Sequence, residues 1–348
     1  MNLHDVARKA GVSIATVSRV LNDQDVVRGP TRTRVLKAVE ELNYHPNINA
    51  RALSVRKNRL IALIVSNLAN PYFVDVYRAV EGVAHREGYE VLVADTDYSP
   101  ARLAERVRLM LGRRVAGIGV VVSEMDESVV RVLARSKIPV AVSGVEAHAP
   151  NITSIRVNCH KGMHRLLDHL RSLRHRKLAF VGHHSMLESI TERRKAFIDG
   201  LAGFDRAQWR VFTDSDSPEG GRQAVRDLLL SDFKPTAVVC VNDRMAMGVL
   251  KELREHGIRV PEDISVTGFD DISYAEFVTP ALTTVHIDRE RIAHLIFENL
   301  TRDDPGGTET VPQGREFVID PQLVVRESTA TAFSRWALPA LEGAISHA

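Results

Sequence analysis

The sequence is poor in cysteine. Its 348 residues hold two, Cys159 and Cys240, far apart and in no CxxC spacing, so neither a disulfide framework nor a cysteine zinc site is expected. No apolar run approaches the ~18 residues of a membrane-spanning helix, and no apolar leader opens the chain. The expectation is a soluble, cytoplasmic (nucleoid-associated) protein with no membrane partner. The glycines of AGIG (116–119) lack the GxGxxG continuation of a dinucleotide site. Leucine heptads are nowhere sustained, so no tetramerising coiled coil is expected. No nucleophile–base pair emerges, and the adjacent acids Asp270 and Asp271 offer no distinctive acid/base geometry. No catalytic residue, cofactor or metal site is therefore predicted.

Net charge is also small, +2 at neutral pH, but it is unevenly spread. Residues 1–60 hold 11 Lys/Arg against 5 Asp/Glu, and the remaining 288 hold 35 against 39. A basic head on a slightly acidic body suits phosphate binding by the head, with steep salt dependence.

The head reads as three helices. The first runs from about Asp5, its expected cap, to Ala10, with Val6 and Ala10 on one face. Gly11 supplies a turn and Ser13 caps a second helix. Val17, Val20 and Leu21 fall at i, i+3, i+4 and face a small core. Ile14, Ala15, Thr16, Ser18 and Arg19 are left outside near the helix start, where a helix-turn-helix touches base edges. A capped hairpin with no DNA role remains the alternative on pattern alone. A third helix spans about Thr31 to Asn43, with Val35, Val39 and Leu42 inward. His45-Pro46 then breaks it. The segment INARALS, capped by Asn47, is too short for a stable isolated helix. It is either a flexible linker or a hinge that becomes helical on DNA, with Leu53 as a minor-groove wedge.

From Leu60 apolar runs alternate with amphipathic helices. LIALIVS, EVLVAD, AGIGVVV and IPVAVS form one series. LAFVG, WRVFT, TAVVCV and ISVTG form another, with a division near Val157–His160. Such alternation implies parallel sheets covered on both faces, here in two lobes. Ligands of these sheets bind beyond the carboxyl ends of the strands. Asn70 and Phe73, Asn242 and Asp243, and Asp270 and Asp271 follow strands, and Arg193 lies on the helix after LAFVG. Amides, carboxylates and a guanidinium around a cavity suit a hydroxyl-rich ligand, with Phe73 as an apolar wall. On spacing alone, Asp270 reads first as a helix cap and Arg193 as a solvated charge, and Asn242 too is not singled out for a ligand. Asp243 is assigned to capping. His183, His184 and Glu188 lie near the same mouth and read as exposed loop residues. The basic cluster around His175 reads as a solvated helix end.

DVARKAGVSIATVSRVLN (5–22) and LNYHPNINARAL (42–53) resemble the N-terminal region of the LacI/GalR family of bacterial transcription regulators. NPYF (70–73), AVVCVNDRMAMG (237–248), RVPEDISVTGFDD (259–271) and PALTTVHID (280–288) extend the resemblance over about 330 residues in the family's order. It implies an all-α helix-turn-helix head (1–45), a hinge helix and linker (46–59), and an α/β two-lobed body like the type I periplasmic binding proteins (60–330). Lobe 1 then comprises about 60–157 and 287–314, and lobe 2 about 158–286 and 315–330. Residues 331–348 form a tail beyond the family's usual end. The resemblance implies DNA contacts from Ser13, Ile14, Ala15, Thr16, Ser18, Arg19, Asn22, Asn47, Ala50, Arg51 and Leu53. It implies an effector cleft lined by Asn70, Phe73, Arg193, Asn242 and Asp270. The function implied is a homodimeric repressor on near-palindromic double-stranded DNA, controlled by a small sugar-like effector. A corepressor-dependent or activating regulator is the alternative within the family. A solute-binding protein, or a sugar-modifying enzyme with a DNA-binding head, is the alternative outside it. Two departures bear on the ligand. Many members carry an Asp where this chain has Ser143-Gly144. A purine-binding relative has an aromatic near Ser215, whose absence here argues against a stacked base.

Overall fold

The computed structural model describes residues 2–21, 27–44, 59–184, 187–302 and 314–332. The chain divides into two compact units, Met1–Asn58 and Arg59–Ala348.

In the first unit, α1 (Leu3–Ala10), α2 (Ile14–Leu21) and α3 (Gly29–Glu41) enclose a core of Val6, Ala7, Ala10, Val17, Val20, Val35 and Ala38. Helix α1 begins earlier than expected. Asn2, not Asp5, is its cap, and Asp5 completes a reciprocal capping box by accepting from the Asn2 backbone. Asp5 still serves the helix start, but from the third helical position.

The second unit is built on two parallel sheets. The first contains β1 (Leu60–Val65), β2 (Glu90–Asp95), β3 (Ile118–Val121), β4 (Val140–Ser143), β5 (Ile152–Val157) and β11 (Glu316–Ile319), in the order β11-β5-β4-β3-β1-β2. The second contains β6 (Lys177–His183), β7 (Gln208–Asp214), β8 (Ala237–Cys240) and β9 (Ser265–Thr267), in the order β7-β6-β8-β9. A short antiparallel pair, β10 (Thr284–His286) and β12 (Gln322–Val324), lies on the return path. Strand β11 corrects the sequence reading, which gave 315–330 to the second lobe. It pairs with β5, where Ser154 N donates to Arg315 O and Asn158 N to Ile319 O. An otherwise bare edge of β5 is thereby closed.

The helices of this unit follow strands, and all but one start with a side-chain cap. They are α4 (Pro71–Arg86, cap Asn70), α5 (Pro100–Gly112, Ser99), α6 (Glu127–Arg135, Asp126), α7 (Cys159–Ser172, Asn158), α8 (Glu188–Gly200), α9 (Pro218–Leu230, Ser217), α10 (Asp243–Glu255, Asn242) and α11 (Arg289–Thr301, Asp288). Pro at the first turn of α4, α5 and α9 is pre-set for helix and gives up an N–H that no helical carbonyl needs. Helix α11 packs under the first sheet. A Cβ on Gly119 would approach Leu63 and Ile296 to 3.0 and 3.1 Å, and one on Gly117 would meet Leu300 at 3.0 Å. The AGIG glycines thus let a helix lie close to a strand.

His175 also departs from expectation. It is buried, at 2% exposure, between Thr236 Oγ1 (2.9 Å) and Ala330 O (3.0 Å). Burial lowers its pKa to about 4. Its neighbours Arg174 and Arg176 are exposed, as the helix-end reading required, but the ring turns inward to satisfy two loop groups.

Candidate DNA-contact helix and ligand cleft

Gly11 ends α1 in the left-handed conformation (φ 64°), which carries an energetic penalty for residues with a Cβ. Its N–H and that of Val12 return to the last carbonyls of α1. Ser13 then opens α2, with its Oγ accepting from Thr16 N at 3.2 Å and lying 2.9 Å from Thr16 Oγ1. Val17 and Val20 are consumed by the core. Ile14 (37% exposed), Ala15 and Arg19 face outward, while Thr16 and Ser18 are half-buried. The face expected to meet base edges is therefore present, with the Thr16 hydroxyl tied to its own helix start. Asn22, Asn47, Ala50, Arg51 and Leu53 lie outside the described residues.

In the second unit a cavity of about 390 Å³ lies between the carboxyl ends of the two sheets. All five expected cleft residues line it. Asn70 and Phe73 come from the start of α4, Arg193 from α8, Asn242 from the end of β8 and Asp270 from the segment after β9. Two of them also hold helices. Asn70 Oδ1 accepts from Tyr72 N (3.1 Å), and Asn242 Oδ1 from Met245 N (2.8 Å). Asn242, not Asp243, is thus the cap of α10. Asp243 is fully buried beneath the site and accepts from Ile272 N (2.9 Å) and Thr284 Oγ1. Asp270 caps none of the described helices. Its φ is 113°, strained for a residue with a Cβ, and its backbone is held by Val285 O and the Arg289 guanidinium.

Arg193 and Asp270 form the electrostatic centre. Arg193 Nη2 stands 2.8 Å from Asp270 Oδ1, with the side chains 9% and 4% exposed. Arg193 Nη1 donates to Val241 O (2.9 Å), and the guanidinium lies 4.1 Å from the centre of the Phe269 ring. The close approach to Asp270 is not an aligned hydrogen bond. Arg193 Nε and Asp270 Oδ1 have no hydrogen-bond partner among the described residues. Burial pushes the Asp270 carboxyl above the ordinary range, against the opposing pull of Arg193. Cys159 borders the same site, its thiol pushed up to about 12 by burial. His183 lines the cavity and is buried, which lowers its pKa, whereas His184 is exposed. The His183 reading as an exposed loop residue is therefore corrected.

Sequence reasoning missed the groups that join the lobes. Tyr98, after β2, donates to Asp216 Oδ2 at 2.6 Å. Asp216, after β7, also accepts from Asn242 Nδ2 (2.8 Å). Ser189 Oγ on α8 donates to Ser123 Oγ after β3 (3.0 Å), and Ser273 N to Asp75 Oδ2 on α4 (3.1 Å). The neighbour of Asp216 behaves differently. Ser215 spends its hydroxyl on Asp214 and Ser217 and does not line the cavity. At the other departure, Gly144 has φ 94°, and a Cβ there would sit 2.5 Å from Val122 O. An Asp would not fit this backbone without rearrangement.

Comparison with known proteins agrees with both halves. Residues 2–47 match the description "Bacterial regulatory proteins, lacI family", and residues 167–329 match "Periplasmic binding protein-like domain". The chain is 33% identical over 334 residues to the HTH-type transcriptional repressor PurR of Mannheimia succiniciproducens, covering 94% of this chain and 98% of that one. Among solved structures it is similar to the Lac repressor dimer bound to operator and the anti-inducer ONPF, with TM-score 0.81, 28% identity, and 95% and 99% of the two chains covered. It is also similar to the complex of the transcriptional regulator CelR with cellobiose, with TM-score 0.64, 26% identity, and 94% and 99% covered. The chain belongs to the LacI family of bacterial transcriptional regulators.

Proposed function

We propose that this regulator represses transcription as a homodimer on a near-palindromic operator, and that a small hydroxyl-rich effector in the cleft controls its affinity for DNA. Each α2 helix reads one half-site through Ile14, Ala15, Thr16, Ser18 and Arg19. Asn22, Asn47, Ala50, Arg51 and Leu53 supply the remaining contacts, with Leu53 at the operator centre. The observation that carries the effector reading is the buried Arg193–Asp270 pair. It sets a charged donor and a charged acceptor side by side in the cavity lining. A hydroxyl both donates and accepts, so it suits either partner of such a pair. Cellobiose in CelR and ONPF in the Lac repressor are ligands of similar proteins and support this chemistry.

Control requires that the effector bind two lobe arrangements with different affinity. Repression relieved by the effector is the assigned direction. The test is operator binding by fluorescence anisotropy, with and without sugars found to raise the melting temperature. A bound sugar is expected to weaken operator affinity, and Arg193→Ala to abolish that response while DNA binding persists. Unchanged response in Arg193→Ala rejects the site. Operator affinity should fall steeply with salt, and a flat log–log plot rejects phosphate contact by the head.

A further inference from the structure

The cavity is unevenly charged. Glu146, Glu192, Asp216 and Asp270 line it with carboxylates, and Arg156 and Arg193 supply the cations. Both cations are engaged. Arg156 sits between Glu146 (3.3 Å) and Glu316 (2.8 Å). Arg193 holds Asp270 and donates to Val241 O, so its charge is already matched by a carboxylate 2.8 Å away. A ligand carboxylate or ionised phosphate offers only acceptors, so beside Arg193 it would also meet the Asp270 carboxylate with like charge.

Asp216 sets the sign at the far end of the cleft. Its oxygens take the Tyr98 hydroxyl and the Asn242 amide, and Arg244 is 3.8 Å away. An ionised carboxylate keeps lone pairs beyond these, open to hydroxyl donors and repulsive to anions. The starts of α4, α7 and α10 reach the cavity and draw negative charge, as does that of α8, where Leu187 gives no side-chain cap. Glu192, on the same helix and at the same cavity wall, opposes that field.

We propose that the cleft accepts uncharged polyhydroxy molecules and rejects their phosphorylated and carboxylated derivatives, with Asp216 as the specificity-determining residue. The proposal rests on the cleft being the effector site. Like-charge repulsion at contact distance from Asp216 weakens an anion about a hundredfold relative to its uncharged parent.

The experiment is calorimetric titration of the full chain with matched pairs: ribose and ribose 5-phosphate, glucose and glucose 6-phosphate, glucose and gluconate, and cellobiose and cellobionate. At least one uncharged member is expected to bind, about a hundredfold tighter than its charged derivative. A charged member that binds tighter than its parent overturns the proposal, and so does a panel in which no uncharged member binds. Asp216→Asn, which keeps the side-chain shape, is expected to shrink the ratio to under about tenfold. An unchanged ratio in that variant removes Asp216 from the role. Selectivity is measured without DNA. A sugar that binds selectively but leaves operator affinity unchanged counts against the regulatory reading and not against this one.

Discussion

Replacing Asp270 by Asn isolates the electrostatics of the cleft. The substitution keeps the shape, and Asn tolerates a positive φ about as well as Asp. It leaves the Arg193 guanidinium, 9% exposed, without its counter-charge 2.8 Å away. Removing one partner of a buried pair costs about 3–5 kcal/mol. Two contacts survive here, the bond to Val241 O and the Phe269 face at 4.1 Å. The lower end, about 3 kcal/mol, is therefore expected. For a unit of this size that lowers the melting temperature by about 6–10 °C. The assay is thermal unfolding of the ligand-free protein by circular dichroism, with Arg193→Met and the double variant completing a cycle. The double variant should regain much of the loss, since a buried pair replaced as a whole is often close to neutral. A melting temperature for Asp270→Asn within about 1 °C of the parent refutes the claim that the pair is electrostatically coupled.

Three further outcomes are expected. Gly144→Ala places a Cβ 2.5 Å from Val122 O at φ 94°. It should destabilise the body by about 1–3 kcal/mol, and an unchanged urea midpoint would contradict the strain argument. Tyr98→Phe deletes the hydroxyl that joins the lobes through Asp216. It should shift the lobes toward the open form by about tenfold, read by small-angle scattering of the ligand-free protein, and an unaltered scattering profile would count against the latch. His175 has a folded pKa of about 4, below its unfolded 6.5, because burial disfavours the charged ring. Its stabilising contribution is then whole above pH 6.5, is lost as pH falls toward 4, and levels off below. The difference amounts to about 3 kcal/mol. Urea unfolding from pH 7 to 4 should show His175→Gln losing that slope relative to the parent, and parallel curves would reject it.

Much of the fold was legible because the body repeats one local rule. A Val-rich strand is followed by an Asn, Ser or Asp cap and then a helix, as at Asn70, Ser99, Asn158, Ser217 and Asn242. Where the rule applies, the strand's carboxyl end, and hence the cleft, can be placed from sequence. The rule does not say which neighbour takes the cap. Asn242 and Asp243 are both competent acceptors, and tertiary demand from Ile272 N and Thr284 drew Asp243 inward. His175 was misread for a related reason. Its flanking arginines describe a wet helix end, but Thr236 and Ala330, remote in sequence, recruit the ring. Tyr98 and Asp216 lie 118 residues apart on different lobes, and no local pattern links them. The β5–β11 pairing was hidden in the same way, since a closing strand from the far end of the chain has no signature at β5.

The capping duty of Asn70 and Asn242 has a consequence for how ligand preference diversifies. Each places its amide at the cavity with an oxygen already serving a helix start. Changing either residue to suit a new ligand disturbs a helix first, so natural variation there is penalised before any gain in recognition is felt. Tyr98, Ser123, Ser189 and Asp216 reach the same cavity and cap no helix. New specificities should arise at these four positions, while the two asparagines persist across relatives that recognise unlike molecules.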